Sequence, residues 1–134
     1  WSHSTGLVVH KGDFGDGQEW ARQVREVRPG ETADVIGIGL QALLDQEHIQ
    51  EVDLLKVDIE RSEIVVFGSD TSGWLPRVRN IAIELHGSEA DDVFSRALDG
   101  YQGDRSSSGE LTICTNMRPH RSKDLPITFM KELD

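Results

Sequence analysis

The chain has one cysteine, Cys114, among its 134 residues, so an internal disulfide is excluded. Positive charge is also scarce: 14 Lys and Arg stand against 24 Asp and Glu, a formal net charge of -10 at pH 7. No Lys/Arg cluster forms a phosphate-binding stripe, which argues against nucleic acid and anionic membrane as partners. No apolar run reaches membrane-spanning length, and no secretory signal is recognisable. With the lone thiol, these absences predict a reducing, cytoplasmic setting. Methionine is missing from the first position, where Trp1 stands. That predicts a processed chain or a piece of a longer one.

What is present is ordinary for a globular protein. Hydrophobic residues make up 37% and charged residues 28%. At this length one domain is expected, burying roughly two thirds of its unfolded surface.

The pattern along the chain alternates strands and helices. Residues 5–10, TGLVVH, read as a strand, and KGDFGDG (11–17) as a turn. QEWARQVREV (18–27) fits both a helical and an alternating face, and a hairpin strand is preferred. DVIGIG (34–39) reads as a strand and LQALLDQEHI (40–49) as an amphipathic helix. VDLLKVDI (52–59) is the clearest strand, with apolar residues on both faces, which predicts a buried parallel position. SEIVVFG (62–68) reads as a short helix capped by Ser62, with Glu63 favouring its positive end and Gly68 closing it. TSGWLPRV (71–78) is a loop, NIAIELHG (80–87) a second core strand, and SEADDVFSRALDG (88–100) a helix with Ser88 as cap and Gly100 as stop. YQGDRSSSGELTICTN (101–116) reads as a hairpin, followed by a loosely packed tail. The order predicts an α/β domain with a mainly parallel sheet and a C-terminal antiparallel hairpin.

The ionisable residues concentrate at two strand ends. Asp58 and Glu60 end one strand; Glu84 and His86 end the other. Ligands of open parallel sheets sit beyond the carboxyl ends of strands. If the two strands are neighbours, the four side chains converge at one rim. Each pair is two residues apart and so faces one way, and Lys56 shares the parity of Asp58. The competing reading is structural: a Lys56–Asp58 pair, a turn capped by Asp58 and a helix start at Glu63. GDFGDG is a weak nucleotide-loop signal, since its aspartates repel phosphate, and a tight turn is the better reading. His3, His10, His48 and His120 have no ligand spacing. Trp20 and Trp74 are expected to be packing anchors.

VDLLKVDIERSE, followed about twenty residues on by IAIELHG, resembles the FkbM-type S-adenosylmethionine-dependent methyltransferases. That family shows D-x-L-K-x-D-x-E-G-x-E and then a strand ending in E-x-H. DVIGIGLQALL resembles its V-x-x-x-x-L-x-x-L-L lead-in. The resemblance is strongest over residues 33–100. It implies a partial Rossmann-like, class I methyltransferase-like fold that transfers a methyl group to a small-molecule hydroxyl. Catalytic roles would fall to His86, Asp58 and Glu60, and substrate contacts to Glu84 and Arg61. S-adenosylmethionine is the implied cofactor. No metal set is assigned, although a divalent cation held by Asp58, Glu60 and Glu84 is physically open.

Two departures shape the expectation. Arg61 stands where the family has glycine, and the family's D-x-G-x-x-x-G donor loop and ribose-binding acid have no counterpart. The chain therefore reads as a single domain over residues 1–134, the C-terminal half of the fold, inactive alone. The alternative is a catalytically inactive binding module that self-associates through an exposed sheet edge. A third reading, a metal-dependent hydrolase, has only one well-placed histidine.

Overall fold

The computed structural model of the chain describes residues 1–11 and 22–120. The GDFGDG turn, Trp20 and the tail beyond His120 lie outside the described residues.

The first sheet is antiparallel. β1 (Thr5–Lys11) pairs with β2 (Arg22–Glu26) in the expected hairpin, Val9 opposite Val24. β3 (Val35–Gly37) pairs with the other side of β1, giving the order β2-β1-β3. Two side-chain devices hold this sheet. Asp34 accepts from the backbone N–H of Val9 at 2.8 Å. Arg25 grips Glu31 through two hydrogen bonds of 2.7 and 2.8 Å, and this, with the N–H of Arg28, pulls the Glu31 carboxyl down to about 2.

The second sheet is mixed. β4 (Leu55–Val57) runs parallel to β5 (Ile81–Glu84), with Val57 opposite Ile83. β7 (Leu111–Pro119) lies antiparallel on the other side of β5 and pairs outward with β6 (Tyr101–Ser108), giving the order β4-β5-β7-β6. At the irregularity between Gln102 and Asp104, Gly103 is required by crowding: a Cβ there would sit 2.6 Å from the Thr115 carbonyl oxygen.

The helices fall where the periodicity predicts them: α1 (Leu40–Gln46), α2 (Glu63–Gly68) and α3 (Ser88–Ala97). A 3₁₀ turn spans Leu75–Arg77, with Pro76 near its N-terminus. The core lies between the mixed sheet and these helices. Ile81 and Ile83 point to one face of β5 and are fully buried, as are Leu75 and Phe94. Phe67 stacks edge-on against both Trp74 (5.4 Å) and Phe94 (4.9 Å), so Trp74 is the expected anchor.

Four expectations need correction. The sheet is not mainly parallel: among the described residues, parallel pairing is confined to β4–β5 and the isolated Val52–Val78 bridge. Residues 34–39 fit a strand, but their ladder partner is β1 in a separate sheet. The 52–59 run is not buried on both faces either. β4 is an edge strand of three residues, with Leu54 60% exposed and Lys56 exposed beside it. Finally, neither expected serine cap forms. Ser62 is helical and buried, and Gly87, at φ 97°, takes the cap position of α3. The described residues contain no helix long and apolar enough to cross a membrane.

Candidate functional site

Parallel register decides where the ionisable side chains land. Val57 lies opposite Ile83, so the chain leaves β4 and β5 at the same rim. Asp58 follows Val57, and Glu84 is the last residue of β5. His86 comes two residues later, on the segment leading into α3. The expected convergence is present. His86 Nε2 lies 3.7 Å from Glu60 Oε2 and 3.5 Å from Glu84 Oε1. One ligand atom each from Asp58, Glu60 and His86 lie within 4.8 Å of one another. Lys56 Nζ approaches Asp58 at 4.0 Å, with both side chains well exposed, so the pair adds little stability.

The turn that delivers Glu60 is strained. Glu60 and Arg61 both have left-handed backbones, at φ 46° and 75°. Position 61 thus keeps the conformation that suits the family's glycine while carrying arginine. The guanidinium reaches across to Glu89 at 3.5 Å.

Glu63 is the residue that sequence reasoning passed over. It was expected to favour the start of a helix. In the structure its side chain is fully buried, and its Oε1 sits 2.9 Å from His86 Nδ1. The same oxygen lies 3.4 Å from the backbone N–H of Ile59. An ionised carboxylate only accepts, so Nδ1 donates and Nε2 faces Glu60 and Glu84. The final glutamate of the D-x-E-x-x-E spacing was the available signal.

The electrostatics follow from this crowding. Burial works to lower the His86 pKa, but the Glu63 hydrogen bond and the fields of Glu63, Glu60 and Glu84 outweigh it and leave the value raised. Burial raises the Glu84 pKa, with Asp58 the largest charge adding to that rise.

A cleft of about 510 Å³ opens at this rim, lined by Gln23 of β2, Glu60, Arg61, His86, Gly87, Ser88 and Glu89. A second cavity of about 540 Å³, lined by Glu51, Arg77, Arg79 and Asn80 among others, lies at the opposite ends of β4 and β5. Of the converging residues, Glu60 and His86 line the first and none lines the second, so the 510 Å³ cleft is the candidate site.

The family model for the Methyltransferase FkbM domain matches residues 7–109. The chain belongs to the FkbM methyltransferase family. The match takes in the β1–β2 hairpin as well as the 33–100 segment that carries the resemblance. No curated protein and no solved structure matches the chain. Asp53, Lys56, Asp58, Glu60, Arg61 and Glu63 of the resembling segment all fall within the matched residues of this FkbM domain.

Proposed function

We propose that the rim is the acceptor-activating side of an S-adenosylmethionine-dependent O-methyltransferase that acts on the hydroxyl of a small molecule. When bound, S-adenosylmethionine would supply an electrophilic methyl group for the acceptor oxygen, with a neutral thioether as leaving group. The hydroxyl proton passes to Nε2 of His86. Asp58 and Glu60 orient the acceptor, and Arg61 and Glu84 contact its remainder.

The carrying observation is the buried Glu63 behind His86 at 2.9 Å. It fixes the ring, selects the tautomer and stabilises the imidazolium that forms after proton transfer.

The test is turnover of the full-length protein with hydroxyl-bearing acceptors, read as thioether release. His86→Ala is expected to lower kcat by about 10² to 10⁴. Asp58→Ala is expected to lower it as well, with the circular dichroism of both variants unchanged. Wild-type turnover in folded His86→Ala would remove the assignment.

A further inference from the structure

Asp58, Glu60, Glu63 and Glu84 surround one imidazole. Among the described residues, Lys56 approaches Asp58 at 4.0 Å, with both side chains exposed. Arg61 bridges to Glu89. Such crowding alone is common on acidic surfaces, but a second observation points inward. Glu63 is 0% exposed, its side chain is aimed at the back of His86, and its Oε2 has no hydrogen-bond partner among the described residues. A buried carboxylate persists where it is paired, as Glu63 is with His86, yet here its second oxygen is left unsatisfied. An imidazole with Nδ1 held by a carboxylate and Nε2 facing further oxygens is the arrangement that surrounds metal-bound histidines.

We propose that Asp58, Glu60 and Nε2 of His86 bind a divalent first-row transition-metal cation, with Glu63 as the orienting carboxylate behind the histidine. One separation suits this, and all three ligand atoms lie within 4.8 Å of one another. Ligand atoms each about 2.1 Å from a shared ion lie roughly 3 to 3.5 Å apart, close to the 3.7 Å between Nε2 and Glu60 Oε2. The donor set selects the ion. Magnesium and calcium favour all-oxygen cages, whereas a nitrogen ligand with two carboxylates suits a transition metal. Asp58 is exposed, so the open side of the ion faces solvent and an incoming ligand.

The binding site stands without reference to methyl transfer, and it is an alternative to the proton-accepting role of Nε2, since one lone pair cannot serve both.

The test is binding rather than activity. The full chain, stripped with chelator and dialysed, is titrated with MnCl₂ while the electron paramagnetic resonance of free manganese is followed. One equivalent per chain is expected, with nitrogen hyperfine coupling on the bound ion. Asp58→Asn, at an exposed position, should weaken binding at least tenfold without disturbing the fold, and His86→Ala should abolish the nitrogen coupling. Lys56→Ala should leave binding intact. Absence of stoichiometric binding, or bound manganese without nitrogen coupling, would overturn the proposal. So would binding insensitive to Asp58→Asn. None of these outcomes decides whether the protein transfers methyl groups, so the two readings fail separately.

Discussion

Replacing Glu63 by glutamine tests the design of the rim most directly, because it removes a charge and leaves the shape. Glu63 is fully buried, and its His86 partner is 21% exposed, so solvent screens the pair only weakly. A hydrogen bond to a charged group contributes about 1.5–3 kcal/mol net, against roughly half that for a neutral pair. The pH dependence gives the sign. Glu63 and its neighbours raise the His86 pKa above 6.5 in the folded chain. Stability from that shift is fully present below the unfolded value and is lost as pH rises through the folded one. In Glu63→Gln the largest raising influence is gone. At about pH 5.5 the variant should therefore be less stable than wild type by about 1.5–3 kcal/mol. Near pH 9 the imidazole is neutral, and relief from burying a carboxylate offsets the weaker bond, so the difference should fall within about 1 kcal/mol. Urea denaturation of both proteins at the two pH values measures this. Taking the difference between proteins cancels the other four histidines. An equal destabilisation at both pH values would refute the pairing of Glu63 with His86.

Three further outcomes follow from the structure. Arg61→Gly should be more stable than Arg61→Ala by about 1 kcal/mol in urea melts, because both lose the exposed Glu89 pair but only glycine relaxes at φ 75°; alanine matching glycine would contradict the left-handed backbone. Phe94→Ala should cost about 3–5 kcal/mol in the same melts, since the ring is fully buried against Phe67 and under Arg105. Gly103→Ala should lower the melting temperature, at a cost of about 1–3 kcal/mol, because its Cβ would collide with the Thr115 carbonyl; an unchanged midpoint would count against the β6–β7 register.

The legible parts of the fold were local. The β1–β2 hairpin, three helices and the closing hairpin all follow from periodicity and turn residues close in sequence. Pairing between distant segments was not legible. Residues 34–39 carry the same apolar run whether they join β5 or β1, and only the tertiary structure assigns them to β1. The 52–59 run shows apolar residues on both faces, which fits a central strand. Yet it contains Lys56, and a lysine within a strand is a device of edges. Its parity with Asp58 points equally to a Lys56–Asp58 pair, which hides the edge signal.

The candidate site divides along the same line. Residues two apart on a strand share a face, so the grouping of Asp58 with Glu60 and of Glu84 with His86 needed only parity, and their convergence only that β4 and β5 be neighbours. Glu63 required more. Its role depends on how the left-handed turn at Glu60 and Arg61 swings the start of α2 beneath the loop after β5. A turn with two ordinary backbones would carry Glu63 elsewhere and leave His86 without its orienting carboxylate. The arginine at position 61 therefore occupies the place where local strain and site geometry meet, and it keeps a glycine-like conformation at a cost of about 1–2 kcal/mol. Strain of this kind persists only where the surroundings hold it in place. Here the anchors are the fully buried Glu63, its 2.9 Å contact with His86 and the Phe67–Phe94 packing that seats α2 against α3.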